Sequence, residues 1–340
     1  MNIVLKDITD KQEWDSFVTS HKEANFLHSW QWGEFHISRG TAVVRRGAYY
    51  RDKLLGVYEG VVEPAKRGRH LAVAGGPIVN WQTHAVVTAL RDDMQKVGRE
   101  HDCVFVRVRP QRELDTAALS EMKKLGFRRA PMYLSVELAG VLNLEKTEEE
   151  LLKGMRQRLR RALRKAEKND IEVETTTDPA AIKEFYDIQL QTAGRHKFVA
   201  FSEDFFTKQF TAFAADNSAV LYTARYKGEV LAQNFMIFYG NEASYHYGVS
   251  TELGTKLSGA PLLHMQAMRD ARTRGIGRYN FWGIVEEEDT GHRFYGVSVF
   301  KRGFGVDELR YVPAHDLVLK PLSYLRTWAI ESARRKIRHV

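Results

Sequence analysis

One cysteine, Cys103, stands in a chain of 340 residues, which excludes an internal disulfide and a zinc site assembled from thiolates. No apolar run comes near the roughly 18 residues that span a bilayer. The opening Met1-Asn2-Ile3-Val4-Leu5-Lys6-Asp7 lacks the basic start and apolar core of a signal peptide. A cytoplasmic location is expected on both counts. There is no Gly-x-x-x-x-Gly-Lys-Ser/Thr phosphate loop, no His-Glu-x-x-His pair and no Gly-x-Ser-x-Gly nucleophile elbow. The 12 histidines are scattered without metal-ligand spacing. Nucleotide hydrolysis and a metal site are therefore not expected, and an enzyme with this inventory works by positioning two substrates and stabilising charge.

What is present is ordinary globular material: 44% hydrophobic and 28% charged residues, enough to bury a sizeable core. The length is comfortable for two domains. Lys and Arg number 51 against 43 Asp and Glu, and the resulting net charge of +8 favours an anionic partner: nucleic acid, a phosphorylated ligand or an acidic membrane surface.

Along the chain, Asp10-x-x-Glu13 reads as a capping box opening a helix with Trp14, Phe17 and Val18 on one face. Residues 42–62 read as antiparallel strands, and 71–80 as a strand ending at Gly75-Gly76-Pro77. A helix over 83–97 is expected to stop at Gly98, and Val104, Val106 and Val108 alternate as a half-buried strand ended by Pro110. A helix near 115–125 and a strand at 132–138 complete a first α+β unit. Thr147-x-x-Glu150 caps a basic helix running over 151–168. Then come a strand at 171–175, helices at 179–193 and 203–215, and strands near 219–226, 230–239 and 243–250. A helix with Pro261 in its first turn and a strand at Tyr279-Asn280-Phe281-Trp282-Gly283 follow. The two halves share one order of hairpin strands, helix, strand, helix, strand, which reads as a duplicated fold. The stretch from about 317 reads as a basic amphipathic helix ending in Arg334-Arg335-Lys336.

The second half resembles the N-acetyltransferase (GNAT) arrangement, although Leu253-Gly254-Thr255-Lys256-Leu257-Ser258-Gly259-Ala260-Pro261 departs from that superfamily's coenzyme A loop, with Pro261 removing a backbone N–H. A narrower resemblance runs through nearly the whole chain. It is carried by Asn25-Phe26-Leu27-His28-Ser29-Trp30-Gln31-Trp32, Gly76-Pro77, Lys153-Gly154-Met155-Arg156 and Gly194-Arg195-His196-Lys197-Phe198. Tyr245-His246-Tyr247-Gly248-Val249-Ser250, Tyr279-Asn280-Phe281-Trp282-Gly283-Ile284 and Val299-Phe300-Lys301-Arg302-Gly303-Phe304-Gly305 complete it. In this order and spacing the chain resembles the FemABX family of peptidoglycan-bridge aminoacyltransferases. The resemblance implies an α+β fold of two GNAT-like domains facing across a cleft: 1–145 plus 317–340 on the acceptor side, 146–316 on the aminoacyl-tRNA side. No sustained heptad run is present, so the short form without a coiled-coil arm is expected.

The implied reaction moves an amino acid from aminoacyl-tRNA to a stem-peptide amine of a muramyl-pentapeptide precursor, by a monomeric enzyme without a cofactor. Lys301, preceded by Phe300 and followed by Gly303, matches the family's cation beside the tRNA terminus, where a fixed positive charge would stabilise a tetrahedral oxyanion. Arg195 matches the family's arginine for the acceptor's diphosphate. Near Trp32 the family tends to carry a phosphate-contacting lysine, and His36 is the nearest basic candidate here. Tyr247 matches an acceptor-side tyrosine, and alternation places Tyr245 on the same sheet face. Arg109 stands where relatives often have aspartate. Arg156, Arg160 and Arg164 offer a surface to tRNA phosphates or to an anionic membrane. Two alternatives stay open: an acyl-coenzyme A N-acyltransferase, and a non-catalytic basic module binding RNA or membrane.

Overall fold

In the computed structural model, which describes residues 1–65, 68–196 and 200–338, the chain divides into two units, 1–138 with 309–340 and 139–308. Strand β1 (Val4–Asp7) leads to α1 (Lys11–Thr19), which starts where the Asp10 carboxylate accepts the amide hydrogens of Gln12 and Glu13 and buries Trp14 and Val18. Helix α2 (Trp30–Ser38) is capped by Ser29. Strands β2 (Val43–Tyr50), β3 (Lys53–Glu63) and β4 (His70–Gly75) form an antiparallel meander, with β5 (Ile78–Val79) beside β3.

Helix α3 (His84–Glu100) runs past Gly98 instead of stopping there. That glycine is buried, and a Cβ on it would lie 2.6 Å from the Leu319 side chain, so it serves packing and not termination. Strand β6 (Phe105–Pro110) is buried on both faces, not one. Its arginines are taken up inside the unit: Arg107 forks onto Asp316 at 2.7 and 2.8 Å and reaches Glu331 at 2.8 Å, while Arg109 Nε donates to Ser135 Oγ at 2.5 Å. Helix α4 (Thr116–Lys124) and strand β7 (Arg128–Arg129) follow, and the strand expected at 132–138 is replaced by bends.

The second unit opens with β8 (Leu138–Asn143), α5 (Glu148–Gly154), α6 (Gln157–Lys168) and β9 (Ile171–Thr176). The single basic helix expected over 151–168 is therefore two, parted at Met155 and Arg156, both extended. Then come α7 (Ile182–His196), α8 (Glu203–Ala214), β10 (Ala219–Tyr226), β11 (Glu229–Tyr239) and β12 (Glu242–Ser250). Two further helices, α9 (Glu252–Leu257) and α10 (Gly259–Thr273), precede β13 (Arg278–Gly283), α11 (Tyr295–Arg302) and β14 (Asp307–Arg310). The chain then returns to the first unit with β15 (His315–Val318) and α12 (Pro321–Arg338), so the helix expected from 317 begins later, after a strand.

The sheets run β1-β2-β3-β4-β6-β15-β7 and β14-β8-β13-β12-β11-β10-β9. Each is a four-strand antiparallel meander, a parallel strand, an antiparallel strand and an edge strand, so the duplication read from the sequence is present as topology. The antiparallel strand beyond the parallel one is β15 in the first sheet and β8 in the second. Each sheet thus takes this strand from the chain that follows the other meander. That placement puts the unit boundaries earlier than 145 and 317, because β8 is integral to the second sheet and β15 to the first.

Candidate active site

The parallel pair differs between the units. In the first, β4 and β6 stay paired over six positions, His70↔Phe105 to Gly75↔Pro110. In the second, β12 and β13 pair only at Glu242↔Arg278, Ala243↔Tyr279 and Ser244↔Asn280. A buried polar cluster holds the zipped end: Glu242 Oε1 accepts from Ser244 Oγ at 2.7 Å and Asn280 Nδ2 at 3.1 Å, and Arg278 Nε lies 2.8 Å from Glu242 Oε2. Beyond it both strands bulge. In β12 the register slips so that Phe235 faces Tyr247 and Met236 faces Tyr245, leaving His246 as the extra residue. In β13 Trp282 sits at φ +64°, its N–H bonded to Asn280 Oδ1 at 2.7 Å, a conformation costing about 1–3 kcal/mol for such a residue.

Helix α11 delivers Lys301 to this opening. The Lys301 amine donates to the carbonyl of Gly283 at 2.7 Å and lies 5.6 Å from the centroid of the Tyr245 ring. Neighbouring bonds hold the helix to the chain after β13: Arg302 Nη2 donates to Val285 O at 2.6 Å, and Ser298 Oγ accepts from Val285 N at 3.0 Å. Only 7% of Lys301 is exposed, and among the described residues no carboxylate pairs with it. Burial, with no counter-charge to offset it, pulls the amine from 10.5 down to about 7. The fixed cation expected from the sequence is therefore a group divided between its two protonation states near neutral pH.

Below it, α10 places His264, fully buried, with Nδ1 2.7 Å from the Tyr279 hydroxyl and its ring against Tyr245, Phe281, Phe300 and Phe304. Burial, then the Lys301 charge, lowers His264 to about 3, so it stays neutral. Sequence pattern does not single out His264, whose only signal is a polar residue on the apolar face of a helix.

A profile of the FemAB family matches residues 9–227 and 221–331, nearly the whole chain. This protein belongs to the FemAB family. Among its relatives, the lipid II:glycine glycyltransferase of Staphylococcus aureus is 22% identical, over 92% of each chain. A crystal structure of FemX superposes with a TM-score of 0.87 at 20% identity, covering 96% of this chain and 100% of that one. A tandem GNAT protein from the clavulanic acid biosynthesis pathway gives 0.58 at 11% identity, covering 94% and 99%. The fold expectation, α+β with two GNAT-like domains, is borne out.

Several motifs of this FemAB-family chain are structural. Asn25 Nδ2 donates to Gly75 O at 2.9 Å, His28 Nδ1 donates to Ala74 O at 3.0 Å, and His28 Nε2 accepts from Glu59 N at 3.0 Å. Two such bonds fix one neutral tautomer, and burial keeps His28 near 4. Gly303 closes α11, and its carbonyl accepts Arg156 N at 2.8 Å. A Cβ on Gly305 would lie 2.5 Å from Gly154 O. These glycines let the end of α11 dock on the junction between α5 and α6. Phe300, half-buried, packs with Phe304 and His264 at the edge of the core.

Other expected site residues are placed differently. The bulge at His246 overturns the alternation argument: Tyr245 faces α10, whereas Tyr247 packs on the opposite face with Phe206 of α8 at 5.1 Å and Phe235 at 5.8 Å. Gly248 lies under Tyr245, whose hydroxyl occupies the space a Cβ would need. His36 is buried against Trp32 and Phe35, and burial lowers it to about 3, so it presents no positive charge to a phosphate at neutral pH. Arg160 Nη1 donates to the carbonyls of Leu152, Lys153 and Met155, capping α5, so of the three helix arginines only Arg156 and Arg164 are exposed. Arg195 falls in the last turn of α7, and its side chain lies outside the described residues. The Gly254 and Gly259 pair serves packing: a Cβ on Gly254 would lie 1.8 Å from Leu231 O, and one on Gly259 2.7 Å from Leu231 Cβ. Here α9 replaces the glycine-rich loop read from the sequence.

Proposed function

We propose that this protein is an aminoacyltransferase that takes an amino acid from aminoacyl-tRNA and forms an amide on the stem-peptide amine of a peptidoglycan precursor. The observation that carries this reading is Lys301, a buried amine without a counter-ion among the described residues, held by Gly283 O where β12 and β13 part. The acceptor nitrogen attacks the ester carbonyl of the aminoacyl group, a C–N bond forms, and negative charge gathers on the carbonyl oxygen. Charged Lys301 stabilises that oxygen, an effect worth about 2.7–4 kcal/mol for comparable donors. Collapse breaks the ester C–O bond. Lys301 passes its proton to the departing ribose oxygen, and the proton shed by the new amide nitrogen restores it, so charge balances over the cycle. Arg195 is assigned to the acceptor's diphosphate, and Arg156 and Arg164 to phosphates of the tRNA.

The relative that is a lipid II:glycine glycyltransferase supports a lipid-linked acceptor and a bridge-forming reaction. A coenzyme A donor is disfavoured by the stretch at 253–261, which is helical and not an open loop, with Gly254 and Gly259 packed against Leu231 and Pro261 lacking an N–H. The test is to incubate the protein with a mixed pool of charged tRNAs and with soluble or lipid-linked precursors, and to weigh the products. A precursor heavier by one residue, lost in Lys301→Met, is the expected result. Transfer from acyl-coenzyme A without response to charged tRNA would overturn the reading.

A further inference from the structure

Helix α12 presents two unlike faces. Its inner side is fixed to the first sheet: Tyr324 packs on Phe105 with ring centroids 5.5 Å apart and donates to Asp316 at 2.8 Å, and Glu331 is ion-paired with Arg107. Its outer side carries Leu322, 85% exposed, Leu325, 62%, and Trp328, 48%. Spacing of three residues lines these up along one side of the helix. Leu322 and Leu325 are the two most exposed leucines among the described residues.

The helix itself is basic in composition. The helix holds five basic residues, Arg326, Arg334, Arg335, Lys336 and Arg338, and its single acid is the buried Glu331. Exposed leucine and tryptophan flanked by arginine is the make-up of a helix that lies in the headgroup region of a membrane, with apolar side chains entering the acyl boundary and cations meeting lipid phosphates. A symmetric pairing of two copies through the same face would bring identical cations together, which opposes it. We infer that the outer face of α12 seats the protein on an anionic phospholipid bilayer. No helix among the described residues is long and apolar enough to cross one, so the contact is peripheral. The inference does not depend on the reaction assigned to Lys301.

The test is sedimentation of the full chain with vesicles of equal parts phosphatidylcholine and phosphatidylglycerol, and with vesicles of phosphatidylcholine alone. The wild type is expected to pellet with the anionic vesicles. The double variant Leu322→Gln, Leu325→Gln should partition at least about tenfold less, with an unchanged Tm because both side chains are exposed. The pair Arg326→Gln, Arg334→Gln should weaken binding to the anionic vesicles by about tenfold or more and flatten its salt dependence. Three outcomes would overturn the proposal. The wild type stays in the supernatant; the leucine variant binds as the wild type does, which would assign the contact to α6; or light scattering finds a wild-type dimer that the leucine variant converts to monomer.

Discussion

At the scale of single residues, Lys301 is the most consequential feature, because its charge is set by burial alone. Lys301→Met should lower kcat by about 10²–10³, the loss expected for one oxyanion donor, while tRNA binding measured by filter retention stays within about twofold. Since the proposed cycle needs the charged amine, kcat/KM of the wild type should carry a descending limb near pH 7 that the residual activity of the variant lacks. Stability responds in the opposite sense. Below about 7 both folded and unfolded chains hold the proton, and the cost of burying it is felt in full. Between about 7 and 10.5 the unfolded lysine keeps a proton that the folded one has released, so stability rises with pH. Denaturant unfolding at pH 7 and pH 10 should show the wild type gaining on Lys301→Met, by on the order of a few kcal/mol. A gap independent of pH would mean that the folded amine titrates normally.

Elements show why some of the site is legible in the sequence and some is not. Lys301 stands out because Val299-Phe300-Lys301-Arg302-Gly303-Phe304-Gly305 matches a family pattern, and α11 holds it where it is buried. Alternation misplaces the face of Tyr247 because a bulge at His246 is a property of two strands in register, invisible in one. Arg107 and Arg109 resemble the solvated side of a half-buried strand because the partners of Arg107, Asp316 and Glu331, lie more than 200 residues away. Gly254 and Gly259 lie where the GNAT superfamily has its coenzyme A loop and fit that pattern poorly, and the structure shows why they are glycine: close approach to Leu231. The arginines around α6 divide in the same way, and two variants separate them. Arg160→Ala removes three bonds to the end of α5 and should cost about 1–2 kcal/mol in thermal unfolding, with little effect on the salt slope of tRNA binding. Arg164→Ala should leave stability within about 0.5 kcal/mol and reduce that slope by about 0.7–0.9.

At the scale of the whole molecule, the Arg107, Asp316 and Glu331 cluster joins β6 to β15 and α12, two consecutive elements whose acids lie 209 and 224 residues further along the chain. Glu331→Ala leaves the arginine with one carboxylate in place of two and should destabilise the first unit by about 3 kcal/mol, read as a lowered denaturant midpoint. The same variant should weaken vesicle binding if α12 loosens. The crossed supply of strands has a further consequence, for how the protein is made. While the ribosome is still threading out the second meander, the first sheet ends at β6 with an open edge, and the residues that will close it, 315–318, have not yet been synthesised. The N-terminal half must therefore wait until the whole second meander has been made before its sheet can be completed, and a polypeptide truncated after residue 138 would expose a sticky strand border prone to aggregation.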